Sequence, residues 1–233
     1  MTQPISIIIP ALNEAAGLEA TLQALQPLRA RGHEVIVVDG GSRDSTMLIA
    51  RRNADRTVMS GAGRALQMNA GAEHAKHEIL LFLHADTRLP DAADALIHAA
   101  LADTTTRWGR FDLRLDHSKL VYRIIERSIN WRSHVSGVAT GDQAIFVQRE
   151  YFERVGSYDR LPLMEDVTLS KKLLHFSRPA RITTPVLTSA RRWEQGGVLR
   201  TILLMWTLRT AFFFGADPLR LAELYYPSGK DEP

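Results

Sequence analysis

The sequence predicts an α/β domain on a doubly wound, mainly parallel sheet, with an antiparallel edge and a helical C-terminal tail. Three observations lead there. Ile5–Ile9, Val35–Val38 and Ile79–Leu83 are short, largely apolar runs, the pattern of strands buried on both faces. Between the first two, Leu18, Leu22, Leu25 and Leu28 recur at helical spacing, which makes a β-α-β unit with a right-handed crossover. Each run then stops at a polar cluster, and ligands of open α/β sheets gather outside the carboxyl ends of the strands. The clusters are Pro10-Ala11-Leu12-Asn13-Glu14, Asp39-Gly40-Gly41 and His84-Ala85-Asp86.

Taken in order, the first strand ends at Pro10, and Asn13 is placed to cap the helix that follows. Gly32 closes that connection, the second strand ends at Asp39, and a Gly/Ser/Asp loop through Thr46 enters another helix. Arg56–Met59 reads as a weak third strand, and Gly61-Ala62-Gly63-Arg64 opens a helix to about Ala75. Next comes the apolar run Ile79–Leu83. In an extended backbone His84 and Asp86, two residues apart at its end, point to the same side. Asp91 is placed to cap a helix whose apolar stripe is Leu96, Ile97, Ala100 and Leu101.

Trp108–Leu115 alternates large apolar and charged residues, which predicts a half-exposed, antiparallel strand. A helix over Lys119–Ser133, a loop over Gly137–Asp142, a short strand over Ala144–Val147 and a helical turn or two over Glu150–Val155 follow. Glu165-Asp166 opens a helix through His175, where acidic residues suit the positive end of the helix dipole. Ala180–Thr183 and Val186–Thr188 read as two strand pieces, Gly196–Leu224 as a helical tail, and Pro227–Pro233 as disordered. The division that results is a catalytic domain over 1–195, in halves 1–105 and 106–195, a helical extension over 196–226 and a tail over 227–233.

Composition narrows the chemistry. The 233 residues suffice for a substantial core, and the absence of cysteine removes disulfides and thiolate metal sites. No basic n-region precedes the first strand, so a cytoplasmic location is the expectation. A net charge of +3, with arginines concentrated in the second half, suits nucleotides, phosphorylated substrates or an anionic membrane surface. No basic run interleaved with exposed aromatics suggests a nucleic-acid partner. A GxGxxG after the first strand and a GxxxxGK[ST] are both missing, which removes dinucleotide-binding Rossmann folds and P-loop NTPases.

Each polar cluster alone could serve as a turn; their shared position points to one crevice suited to a nucleotide. Seven segments in order then resemble the family 2 glycosyltransferases of GT-A fold. They are Ile7–Glu14, Val37–Thr46, Gly63–Gly71, Phe82–Asp86, Thr140–Gln143, Met164–Asp166 and Arg191–Trp193. The resemblance implies an inverting transfer of a sugar from a nucleotide-diphosphate sugar to an acceptor hydroxyl. It places Pro10, Ala11, Asn13 and Glu14 around base and ribose, Asp39 and Gly40 at the base, and Arg64 at the phosphates, with His84 and Ala85 completing the donor pocket. Asp86 would ligate Mn2+ or Mg2+, and Asp166, beside Glu165, would be the catalytic base. Gly141, Asp142 and Gln143 would form the loop beneath donor and acceptor, with Arg192 and Trp193 closing over them.

Two departures stand out. His84 occupies the first position of the usual Asp-x-Asp, where imidazole can ligate the metal or hydrogen-bond the ribose. Ser189-Ala190-Arg191-Arg192-Trp193 lacks the leading Gln of processive members, and a plain arginine stacked on Trp193 is the alternative there. The pattern is most similar to a compact bacterial sub-branch often assigned to arsenosugar-type small-molecule glycosylation. Val198–Ala216 is too interrupted by Arg200 and Arg209 to span a bilayer. It packs on the domain, lies in a membrane interface through Trp206 and Phe212–Phe214, or makes a dimer contact. A lipid-linked acceptor at the inner face of the cell membrane is therefore a second reading beside a small-molecule one. A sugar nucleotidyltransferase would want a glycine-rich basic loop after the first strand, and a non-catalytic sugar-nucleotide scaffold would want Asp86 and Asp166 gone; neither matches.

Overall fold

A computed structural model describes residues 3–226; the disorder expected for Pro227–Pro233 concerns residues outside that range. One eight-stranded mixed sheet organises them. Its parallel half has β1 (Ile5–Ala11) in the middle, flanked by β2 (Glu34–Asp39) and β4 (Ile79–Phe82), with β3 (Arg56–Met59) outside β2. Every residue of β1, β2 and β4 is buried. Alternate side chains serve two cores. Ile7, Ile9, Val35, Val37 and Leu81 pack under one layer of helices, and Ile8, Ile36, Val38, Leu80 and Phe82 under the other. This is why the sequence shows unbroken apolar runs in place of a period of two.

The first crossover is two helices, α1 (Ala15–Ala24) and α2 (Gln26–Ala30), separated where Pro27 enters. Asn13 does not cap α1. It sits at φ 54°, and its side-chain oxygen accepts a hydrogen bond from the Arg43 N–H, tying the ends of β1 and β2 together. After α3 (Thr46–Asn53), α4 (Arg64–His74) crosses the opposite face so closely that a Cβ on Gly71 would lie 2.4 Å from Ile8 Cγ2.

Beyond β4, a two-residue strand β5 (Thr87–Arg88) leads to α5 (Ala93–Leu101), whose N-cap position is Ala92, without a side-chain cap from Asp91. The sheet then continues through β6 (Trp108–Leu115), β7 (Phe146–Gln148) and β8 (Ala180–Thr188) in the order β4-β7-β6-β8-β5. β7 runs antiparallel to both β4 and β6, β8 runs parallel to β6, and β5 is the antiparallel edge. Two expectations need correcting. β6 is not half-exposed: seven of its eight residues are buried, and the Arg110 and Asp112 side chains pair within the fold. The two pieces expected over 180–188 are one strand, with a register shift opposite Phe111 and Leu113.

Connecting these strands are α6 (Leu120–Ser136), α7 (Arg149–Arg154) and α8 (Glu165–Leu173). The tail comprises α9 (Arg191–Gly196), α10 (Val198–Phe213) and α11 (Pro218–Tyr225), the last capped by the Asp217 carboxylate accepting from the Leu219 N–H. Leu208 and Leu221 bury against Leu163, Met164 and Val167, which ties the tail to the start of α8.

Gly109 is the tightest point of the β6–β7–β8 seam. A Cβ there would lie 2.4 Å from Phe146 Cζ and 2.7 Å from the Ala180 carbonyl oxygen, a backbone atom that cannot rotate away. Gly109→Ala is expected to cost about 1–3 kcal/mol through overpacking, read as a lower urea midpoint at unchanged slope.

Candidate active site

The ends of β1, β2 and β4 carry the predicted clusters to one rim. Pro10 and Ala11 are buried in β1. Gln67 of α4, fully buried, donates through Nε2 to the Ala11 and Val38 carbonyls at 2.8 and 2.9 Å and so locks the two strand ends. Gly40 leaves room for that amide, whose atoms would lie 3.2–3.3 Å from an added Cβ. Asp39 is buried. Its Oδ2 accepts from the Gly41 and Ser42 N–H groups at 3.0 Å, while Oδ1 has no partner. A buried carboxylate oxygen left open at the mouth of a sheet is a ready acceptor for an N–H of a ligand.

The end of β4 differs from the extended geometry expected. The strand stops at Phe82, and the Thr87 N–H donates to the His84 carbonyl at 3.1 Å, folding His84-Ala85-Asp86-Thr87 into a turn. Strand alternation therefore does not decide where His84 and Asp86 point. Thr21 Oγ1 donates to the Ala85 carbonyl at 2.6 Å and fixes the turn from below. The His84 ring abuts Gly141, where an added Cβ would lie 2.5 Å from Nε2. Burial and the neighbouring Arg64 cation push the His84 pKa down to about 3, so the ring is neutral at working pH.

Gly141–Gln143 is a single 3-10 turn, closed by reciprocal Thr140 and Gln143 contacts. The Gly141 N–H donates to Asp166 Oδ2 at 2.8 Å, and the Val167 N–H donates to Asp166 Oδ1 at 2.7 Å. Met164, immediately before α8, is held at φ 68°, a left-handed conformation uncommon outside glycine. That turn delivers Glu165 and Asp166 inward. Burial raises the pKa of both, and the Asp166 carboxylate adds to the rise of Glu165; the two backbone N–H groups and Arg64 partly offset the rise of Asp166.

A wider ring of charge surrounds them. Burial also raises Asp86, an effect opposed by Arg191 and Arg64 and reinforced by Asp142. Asp142, whose Oδ1 is buried without a partner, is raised by burial against the pull of Thr140 and Arg132. Glu14 is raised by burial, despite Arg191, and Asp86 adds to the rise. Arg64 remains a cation: burial opposes its charge, and the Glu165 and Asp166 carboxyls are among the neighbours that favour it.

The sequence reading missed three residues here. Arg132, on α6, feels Asp142 and Asp166. Tyr225 and Tyr226 arrive from the tail, beside Arg64. Arg192 does not stack on Trp193. Its guanidinium carbon lies 3.7 Å from the Tyr225 ring centroid and 5.6 Å from that of Tyr226, while Trp193 packs, half-buried, against the larger core. Burial pushes the Tyr225 hydroxyl up to about 12, so it is a neutral donor at working pH. Arg191 reaches across to Glu14 at 3.4 Å. Among the described residues no three His, Asp or Glu side chains form a metal-holding cluster.

The model of the family described as glycosyl transferase family 2 matches residues 6–148. A "PGL/p-HBAD biosynthesis glycosyltransferase" of Mycobacterium bovis is 33% identical over 224 residues, covering 85% of this chain and 80% of that protein. Among solved structures, a mannosyltransferase from Pyrobaculum calidifontis in complex with GDP-Man and Mn2+ superposes with a TM-score of 0.65 at 22% identity. It covers all of this chain, which spans 66% of that one. Glucosyl-3-phosphoglycerate synthase from Mycobacterium tuberculosis, with Mn2+, UDP and phosphoglyceric acid, gives a TM-score of 0.61 at 17% identity over 85% of this chain and 75% of that one. These likenesses show the GT-A fold, and the chain belongs to the family 2 glycosyltransferases.

Proposed function

We propose that the protein transfers a sugar, with inversion, from a nucleotide-diphosphate sugar to an acceptor hydroxyl, using Asp166 as general base. The observation that carries this is the seating of Asp166: both carboxylate oxygens are fixed by backbone N–H groups, at the N-terminal end of α8, in a crevice shared with Arg64. A base so held keeps one orientation while it takes the acceptor proton as the hydroxyl attacks the anomeric carbon. Asp39 Oδ1 meets the nucleobase, and Pro10, Ala11, Asn13, Glu14 and Gly40 enclose base and ribose. Arg64 draws the diphosphate, and Gly141, Asp142 and Gln143 lie under the sugar. The neutral His84 ring serves the donor as a hydrogen-bonding group. Arg192, steadied by Tyr225, closes the acceptor side, with Trp193 anchoring its helix.

The residues fit a hard divalent cation. Asp86 is an oxygen donor whose own charge burial disfavours and a bound cation would favour, Asp142 is a second carboxyl near it, and Asp142 Oδ1 has no protein partner. Asp86 would hold Mn2+ or Mg2+, with His84 an optional further ligand, and the diphosphate would complete the sphere. The ion would supply neutralisation of charge on the leaving diphosphate. Calorimetry with UDP and GDP, with and without Mn2+, is expected to show metal-dependent binding of one of them; metal-independent binding, or none, overturns the reading.

A lipid-linked acceptor is the second reading, favoured by one feature. Leu199, Leu203, Trp206 and Phe213 of α10, with Phe214, leave an exposed apolar face beside Arg200, and the helix has no acidic residue. Among the described residues no helix is long and apolar enough to cross a membrane, so the contact would be peripheral. A relative 29% identical over 142 residues is described as an undecaprenyl-phosphate 4-deoxy-4-formamido-L-arabinose transferase from Shewanella sediminis. Cosedimentation with anionic vesicles is expected if this reading holds, and its absence, with turnover of a water-soluble acceptor such as an arsenosugar precursor, rejects it. A dimer through the same face would appear instead as a doubled mass in sedimentation.

A further inference from the structure

Beneath the C-terminal end of α6 lies a cavity of about 250 Å³ lined by Arg110, Ser133, His134, Arg178, Pro179 and Arg181. None of these residues belongs to the crevice around Asp166. Arg132 and Ser133 are neighbours on α6, yet Arg132 feels the carboxylates of the crevice and Ser133 lines the cavity, so the helix separates the two. We infer that this cavity is a second, non-catalytic binding site for a small doubly charged oxyanion of the phosphate-monoester class.

Charge is the first argument. Asp112 is the one carboxylate bonded to these arginines among the described residues. It takes Arg110 on one side and a two-pronged contact from Arg181 at 2.7–3.2 Å on the other. Three guanidiniums against that single carboxylate leave an excess of two positive charges at the cavity wall. Unmet bonding is the second argument. Arg110 is 1% exposed and Ser133 likewise, and Arg110 Nε and Ser133 Oγ both lack any partner. A buried charged donor left unpaired is costly, and an oxyanion brings the missing acceptors.

Preorganisation is the third. Arg178 Nη2 donates to the His134 and Val135 carbonyls at 3.1 Å, which fixes its planar fork at the rim. The same bonds cap the last carbonyls of α6, whose partial negative charge would otherwise face the anion. Fixed guanidinium planes recognise tetrahedral oxyanions through paired bonds, and the volume lies below the roughly 300–1,000 Å³ of pockets for larger organic ligands. Phosphate could arrive free or as the end of a larger molecule.

The test is calorimetric titration of inorganic phosphate, and separately glycerol 3-phosphate, into the full chain, Arg64→Ala and the Arg178→Ala/Arg181→Ala double variant, with circular dichroism as the folding control. Saturable binding is expected in wild type and in Arg64→Ala alike, weakened about tenfold or more in the double variant. Equal affinity for both probes identifies free phosphate as the ligand, and tighter glycerol 3-phosphate identifies a phosphorylated organic molecule. Loss of binding in Arg64→Ala with retention in the double variant assigns the anion to the catalytic crevice and overturns the inference, as does a lack of saturable binding in wild type. Should the double variant not fold, Arg178→Gln, which leaves the Asp112 pair intact, takes its place, and undiminished binding there overturns the inference.

Discussion

Asp166→Asn is expected to lower the turnover number by about 10²–10⁴-fold while leaving nucleotide affinity nearly unchanged. The amide oxygen can still accept the Gly141 N–H, so the Gly141–Gln143 turn keeps its place. What disappears is the carboxylate lone pair that the proposed mechanism uses to take the acceptor proton. Near-normal turnover in a folded Asp166→Asn protein removes Asp166 from the role. The pH profile makes the same point independently. Burial raises the Asp166 and Glu165 carboxyls, so the base is protonated at low pH and the rate climbs as pH rises through the pair's elevated range. Glu165→Gln removes one of two like charges and is expected to move this acid limb to lower pH. The linkage to stability has a definite sign. A carboxyl raised in the folded state favours folding while protonated and loses that contribution as pH rises through its folded pKa. Glu165→Gln should therefore raise the urea midpoint at pH 8 more than at pH 5; an unchanged acid limb and midpoint would detach Glu165 from the pair.

Asp86→Ala is expected to act on binding. Loss of several kcal/mol of charge stabilisation corresponds to about a hundredfold or more in donor affinity measured with Mn2+, and to little change with the metal chelated. The collapse of the difference between the two titrations is the signature. If the Asp86→Ala protein keeps the wild-type difference, its carboxylate does not hold the ion. The substitution itself carries little folding risk: the turn is tied by the Thr87 N–H to the His84 carbonyl and by Thr21 to the Ala85 carbonyl, and neither bond uses the Asp86 side chain.

The parallel half of the sheet was legible because its strands are buried on both faces, and a run such as Ile79–Leu83 has few other ways to fold. β6 misled for a specific reason. Arg110 and Asp112 give the alternation of a half-exposed strand, but they neutralise each other inside the fold, with Arg181 from the neighbouring strand, and the linear pattern does not carry that pairing. Asn13 and Asp91 have the chemistry of helix caps, yet Asn13 is diverted by Arg43, and α5 begins beyond Asp91 at Ala93. In the crevice, the residues in polar clusters at strand ends could be named in advance. Arg132 could not, because an arginine on an amphipathic helix carries no local mark of the carboxylates it will face. Arg191, Arg192 and the tyrosines needed the tail to return before their contacts existed.

That return has an engineering consequence. Tyr225 stands 161 positions after Arg64 in the chain, yet the two share one crevice, and Arg192 rests on the tyrosine ring. Exchanging the first 195 residues with those of a related transferase would separate the crevice around Arg64 from the tyrosines that stand beside it. A chimaera that keeps these neighbours together therefore has to carry its own tail through Tyr226.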